Sequence, residues 1–289
     1  MKGKPSRTAE YMALFRALES AQAADRRLFE DSDAARFLRP ALRGVAIAAR
    51  RPALRAPIVA FIDRRWPGPR LSGVVRTRVI DDFVVSAVDG GCTQLVLLGA
   101  GYDTRATRLA QVSSTVVFEV DHPATQAHKR SVLGAPPERI RYVPVDFEHD
   151  RLLSALADAG FDRDQPSCML WEGVFSYLTP EAIDATLSAL IELCGSGSHI
   201  LITYVDQLAL DAPSSYPQAW LTVVRDVGEP FRTGLDPSQA QAFFAQRKLR
   251  LRHDESTTEA ALRLGVEGAQ SIPDFYRLAT LEVDARALI

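Results

Sequence analysis

The sequence predicts an α/β protein: a doubly wound, mostly parallel sheet with a helical cap before it. Three observations predict it. Between about 93 and 206, short apolar runs alternate five times with helical segments, the signature of a parallel sheet covered on both faces. The first run, "LVLLGAG", stops at a Gly-x-Gly turn. And 289 residues with 47% hydrophobic and 24% charged side chains can bury a full-sized core.

Residues 8–20 carry Met12, Leu14, Phe15 and Leu18 at helical spacing. Residues 32–70 are rich in Ala and Arg and interrupted by Pro40, Pro52, Pro57, Pro67 and Pro69, which predicts a cap of short helices. "VVRTRVIDDFVVSAVDGG" reads as a helix stopped by Gly90-Gly91. Then "TQLVLLGAG", "STVVFEVD", "RIRYVPVD", "SCMLWEG" and "SHILITYVD" read as strands. "TRATRLAQV", "HPATQAHKRSVLG", "DRLLSALADAG" and "TPEAIDATLSALIELCG" read as the helices between them. Residues 206–236 lose this rhythm and read as an inserted lid. "DPSQAQAFFAQRK" restores a helix capped by Asp236, and "LRLRHDES" and "YRLATLEVDA" close the chain as paired strands. The organisation expected is one domain over 1–289: a cap (1–73), a cofactor-binding core (74–205), the lid (206–236) and the C-terminal part of the core (237–289).

Charge and cysteine usage narrow the function. Lys plus Arg is 34 against Asp plus Glu at 36, so no general basicity asks for nucleic acid. Arginines cluster at 50, 51, 55, 64, 65, 70, 76 and 78 with Asp63 as the sole acid. They read either as a solvated helical face or as a rim that draws in an anion. Cys92, Cys168 and Cys194 are isolated, which speaks against metal binding and disulfides and for a reducing cytoplasm. The N-terminal segment is too charged for a secretory leader, and no apolar run approaches a membrane span.

The Gly-x-Gly turn marks a ligand crevice, because the first strand of such a sheet ends where strand order reverses. Gly99 and Gly101 allow close backbone approach. Thr104 stands where a dinucleotide fingerprint needs its third glycine. Asp103 would repel a pyrophosphate but suit an ammonium, or it caps the next helix. Glu119 and Asp121 end the second strand on one side, about twenty residues on, where an acid receives a ribose diol; Asp121 is nearer the crevice.

"LGAGYDTRATRL", "VFEVDHPATQAHKR", "VDFEHD" and "WEGVFSYLTPEAI", in this order, resemble the leucine carboxyl methyltransferase-like family, over about "RTRVIDDF" to "YRLATLEV". That family includes protein phosphatase carboxyl methyltransferases and bacterial O-methyltransferases linked to polyketides and other small molecules. The resemblance implies a seven-stranded, Rossmann-like class I methyltransferase fold and S-adenosyl-L-methionine as cofactor. By the same resemblance Arg76, with Arg78 as its neighbour, holds the cofactor carboxylate; Gly99, Gly101 and Asp103 form the turn; and Asp121 takes the ribose. Asp146 and Phe147 meet the adenine, and Glu172 faces the methionyl part. "KPSRTAEYM" resembles a bacterial branch whose N-terminus folds over the cofactor, pointing to Arg7 or Thr8.

Methyl transfer from a sulfonium needs in-line alignment and exclusion of water. A carboxylate acceptor needs no base, whereas a phenol must lose a proton. None of the five histidines has an acid at telling spacing, which leaves Tyr177 and Tyr204 as the candidate catalytic side chains. The expectation is therefore an S-adenosyl-L-methionine-dependent O-methyltransferase. Its acceptor would be a small molecule bearing a carboxylate or hydroxyl, with no metal, no nucleic-acid or membrane partner, and with a homodimer as the candidate assembly. The rivals are an NAD(P)-linked oxidoreductase and a non-catalytic cofactor-binding protein.

Overall fold

A computed structural model describes residues 6–211, 220–222, 225 and 228–283. Seven strands form one sheet: β1 Gln94–Leu98, β2 Val116–Asp121, β3 Ile140–Pro144, β4 Ser167–Trp171, β5 His199–Val205, β6 Leu249–Ser256 and β7 Tyr276–Val283. Their order is β3-β2-β1-β4-β5-β7-β6. The first five run parallel, and β7 lies antiparallel between β5 and β6. The order reverses between β1 and β4, so the crevice opens at the carboxyl end of β1.

The near-continuous apolar strands reflect burial on both sides. Alternate residues sort to opposite faces. Val96, Leu98, Phe118, Val120, Met169 and Trp171 pack against helices α7 (Leu152–Asp158) and α8 (Pro180–Leu193). Leu95, Leu97, Val117, Cys168 and Leu170 pack against Ile80, Val84 and Ala87 of α4 (Pro69–Asp89).

The cap is helical as expected, with α1 (Arg7–Ser20), α2 (Pro40–Ala48) and α3 (Pro52–Arg65). The prolines act differently from a simple reading as breakers. Pro40, Pro52 and Pro69 each open a helix, where a missing N–H costs nothing, and Pro57 lies inside α3. Thus α4 runs for 21 residues and starts before the expected segment. The cap has its own core, which includes Leu14, Phe15, Leu18, Phe37 and Ile62. Tyr102, from the glycine turn, inserts into it and stacks on Phe37 at 4.7 Å between ring centroids. That contact fixes the cap over the end of β1.

The helix expected over 104–112 is shorter. Arg105–Arg108 make one turn, α5; Leu109 is extended, and a 3-10 turn comes next at Ala110–Ser114. Arg105 and Arg108 both turn inward to acids, and that demand outweighs continuation of the helix. The helix α6 (Pro123–Leu133) comes after β2. The lid expected over 206–236 lies partly outside the described residues; its first part, Gln207–Asp211, is helical. The connection after β6 holds a further helix, Thr257–Arg263, with a reciprocal capping box between Ser256 and Glu259. No helix among the described residues is long and apolar enough to cross a membrane.

Candidate active site

A cavity of about 430 Å³ opens at the carboxyl ends of β1, β2 and β4, beneath the cap. Its floor is the glycine turn, with φ at +74° for Gly99 and +47° for Gly101, in the region that favours glycine. A Cβ on Gly99 would stand 2.0 Å from Val174 Cγ2. Gly99→Ala is therefore expected to cost about 1–3 kcal/mol through overpacking and backbone strain, measured by urea unfolding. An unchanged midpoint would show that Val174 yields freely.

The Gly101 N–H donates to Asp121 Oδ2, and the His122 N–H donates to Asp121 Oδ1 at 2.6 Å. The acid thus ties the turn to the end of β2 while lining the cavity. Burial pushes its carboxyl up, against the two N–H groups that stabilise the charge. Glu119 has another role. It is buried behind the turn against Lys129 Nζ at 2.5 Å, and the same ammonium donates to the Asp103 carbonyl.

At the other end lies a buried charge network. Arg105, 3% exposed, donates from Nε to Asp81 at 2.8 Å and from Nη1 to Asp103 and to Glu172 Oε2, the latter at 2.8 Å. Arg108 donates twice to Asp81, at 2.7 and 2.6 Å. Arg76 Nε donates to Glu172 Oε1 at 2.7 Å, and its guanidinium lies 4.8 Å from the Tyr276 ring centroid. Burial alone would raise the acids, but the arginines prevail: Arg105 holds Asp103 down to about 2, and Arg105 with Arg76 keeps Glu172 below its ordinary value. Asp103 also accepts the Arg105 backbone N–H at 2.6 Å, closing a tight turn at the entry to α5 as well as carrying charge. Arg76 is the least committed of the three. Its Nη2 meets only the Met12 thioether, at 3.0 Å, and its Nη1 has no hydrogen-bond partner among the described residues.

Asp146 and Phe147 line a third corner, after β3. Asp146 accepts the Glu148 N–H at 3.1 Å and its own N–H donates to Asp150 at 2.7 Å, which folds the loop tightly. Tyr177 also lines the cavity, with its ring 5.0 Å from that of Phe231. Burial, then neighbouring Tyr276 and Glu229, push its phenol up, so it stays protonated.

Two expected residues stand elsewhere. Arg78 does not line the cavity: two residues beyond Arg76, it projects from another side of α4, pairs with exposed Asp82 at 2.9 Å and donates to the Leu28 carbonyl at 3.0 Å. Tyr204 is also away from it. Strand alternation puts Thr203 on the site side, where it accepts the Gly173 N–H at 2.9 Å, and turns Tyr204 to the opposite face. The Tyr204 hydroxyl donates to Asp254 at 2.7 Å.

Arg105 and Asp81 escape a sequence reading because no spacing announces a buried ion pair. The available signal is that Glu172, just after β4, and Asp103, just after the glycine turn, need a cation. Glu229 is missed too. It accepts from Ser6 Oγ at 3.1 Å and from the Arg7 and Thr8 N–H groups at 3.1 and 3.2 Å, and the Thr8 hydroxyl also donates to it. A side chain far along the chain thereby caps α1 at the cavity wall, with Thr8 lining the cavity. Glu229→Ala is expected to speed amide exchange in the first turn of α1 about five-fold, the loss of about 1 kcal/mol of capping. Unaltered exchange there would mean that this contact holds nothing.

Sheet order, glycine turn and acid-ended β2 together define a class I methyltransferase fold, the S-adenosyl-L-methionine-dependent type. Residues 9–191 match the leucine carboxyl methyltransferase family, and the chain belongs to that family. A Mycobacterium sp. (strain KMS) protein, provisionally named an S-adenosyl-L-methionine-dependent methyltransferase, is 41% identical over 168 residues, covering 57% of this chain and 54% of that protein. A similarly named protein of Mycolicibacterium paratuberculosis (strain ATCC BAA-968 / K-10) is 37% identical over 203 residues, covering 67% and 63%. The chain thus spans about half to two thirds of the length of the curated relatives it matches. The crystal structure of a protein described as a methyltransferase from Thermobifida fusca YX shares the fold at a TM-score of 0.62 and 18% identity, covering 98% of this chain and 97% of that one. A DUF574 family protein from Streptomyces avermitilis does so at 0.60 and 18%, covering 93% and 96%.

Proposed function

We propose that the protein is an S-adenosyl-L-methionine-dependent O-methyltransferase acting on a carboxylate or hydroxyl of a small molecule. One observation carries the reading: a single cavity at the switch point is lined in turn by Glu172 and Arg76, by Gly101 and Asp121, and by Asp146 and Phe147. The donor set fits the cofactor. Arg76 has open N–H groups for a carboxylate, Glu172 and Asp103 provide negative charge for an ammonium, Asp121 faces the place of a diol, and Asp146 with Phe147 suits a purine. A pyrophosphate fits worse, because acids rather than a third glycine and free N–H groups surround the turn. When bound, the cofactor supplies an electrophilic sulfonium methyl.

The chain's part is placement and exclusion of water. Tyr11, Trp66, Trp220, Phe231 and Tyr276 give the cavity a largely aromatic wall that suits an apolar acceptor. Tyr177 keeps its proton at neutral pH, so it is not placed to serve as the base that a phenol would need. That favours an acceptor already ionised at neutral pH, a carboxylate. Incubation with methyl-labelled cofactor and panels of aromatic carboxylic acids and phenols tests this. Base-labile methyl esters are the expected product. Tight cofactor binding without label transfer to either panel would make the chain a non-catalytic binder.

Arg76→Lys is expected to weaken S-adenosylhomocysteine binding about five- to thirty-fold, since an ammonium cannot reproduce the fork. Arg78→Lys is expected to bind as wild type. The reverse pattern in titration calorimetry would move the anchor to Arg78.

A further inference from the structure

The arginine-rich stretch of the cap is only partly used by the site. Arg70 pairs with Asp63, and Arg76 belongs to the network. Among the described residues, Arg43, Arg50, Arg51, Arg55, Arg64 and Arg65 form no ion pair. Arg55 donates only to the Ala49 carbonyl, and Arg65 lies over the Trp66 ring. Helices α2 and α3 of this stretch carry large apolar side chains in solvent: Phe61 is 66% exposed, Ile47 54% and Leu54 40%. Along α3 only Ile62 is buried. Leu54 and Phe61, seven residues apart, share a helix face, and Arg51 and Arg65 flank them on it.

We propose that the α2–α3 face is a docking surface for an anionic lipid bilayer. Guanidiniums interleaved with protruding apolar tips are what an interfacial helix presents to headgroups and acyl chains. A second copy of this face would be repelled by like charge. An acidic protein would match the arginines but set Phe61 and Ile47 against carboxylates, at a desolvation cost. The chain's overall charge of −2 makes the contrast sharper, because attraction to anionic lipid is confined to this patch. Trp66, which ends α3, lines the cavity, so a chain docked here holds its cavity beside the lipid surface.

Flotation of the full chain with vesicles of phosphatidylcholine alone, and with a quarter of phosphatidylserine, tests the proposal. Binding is expected only to the anionic vesicles and should fall steeply with salt. The pair Arg64→Ser, Arg65→Ser is expected to lower the partition coefficient about ten- to thirty-fold. Phe61→Ser should lower it as well, with thermal midpoint and S-adenosylhomocysteine affinity kept, since these side chains are outside the charge network. Equal binding to both vesicle types, no binding at low salt, or variants that float as wild type would overturn it. So would binding to soluble polyglutamate as tight as to the anionic vesicles and unchanged by Phe61→Ser, which would assign the face to an acidic macromolecule.

Discussion

Arg105→Met is expected to lower the unfolding free energy by about 3–5 kcal/mol, the usual result of removing one partner from a buried ionic cluster. Arg105 is the hub: Asp81, Asp103 and Glu172 all take hydrogen bonds from it. Methionine fills most of the volume but supplies no charge, so three carboxylates lose a donor at once. Arg76 then still pairs with Glu172 and Arg108 with Asp81, while Asp103 keeps only the charges of Lys129 and Arg108 nearby. The sign of the pH dependence is set by the same contacts. Asp103 is held down to about 2 from an ordinary 3.8, so its contribution is complete above the unfolded value and is lost as pH falls toward 2. In the variant the same buried acids gain by taking up protons, so the stability gap should be widest near neutrality and narrow below pH ~4. Denaturant unfolding at both pH values measures it. A gap that widens in acid would mean that Asp103 is not the partner.

Asp121→Ala is expected to weaken S-adenosylhomocysteine binding by about 1–3 kcal/mol, roughly five- to 150-fold. Two effects add. The acid proposed to take the ribose is gone, and the Gly101 and His122 N–H groups lose their acceptor, which loosens the turn itself. Asp121→Asn separates them. Its side-chain oxygen can still accept one N–H, so binding should fall less than in the alanine variant. Equal losses would place the whole effect in the carboxylate charge. No loss in either would show that the sugar lies elsewhere.

Periodicity made most of the fold legible in the sequence. Buried strands such as "QLVLL" announce themselves because both faces are covered, and the antiparallel pairing of β6 and β7 is readable from two matched runs. Residues at strand ends are legible too: Asp121 and Glu172 lie in the crevice because strands deliver their last side chains there. Side-chain direction is not. Arg76 and Arg78 differ by two residues in the sequence but by about 200° on the helix, and only packing decides which turns inward. Tyr204 is misplaced for the matching reason on a strand, where adjacent residues face opposite ways. The shortened α5 and the Glu229 cap depend on contacts between distant segments, which no local window contains.

If the crevice beside Gly99 and Gly101 receives a sulfonium nucleoside, parallel calorimetric titrations with S-adenosylhomocysteine and NADH should tell the two ligands apart. Micromolar binding of S-adenosylhomocysteine, with none of NADH, is the predicted result; micromolar NADH binding with no heat from S-adenosylhomocysteine would contradict it.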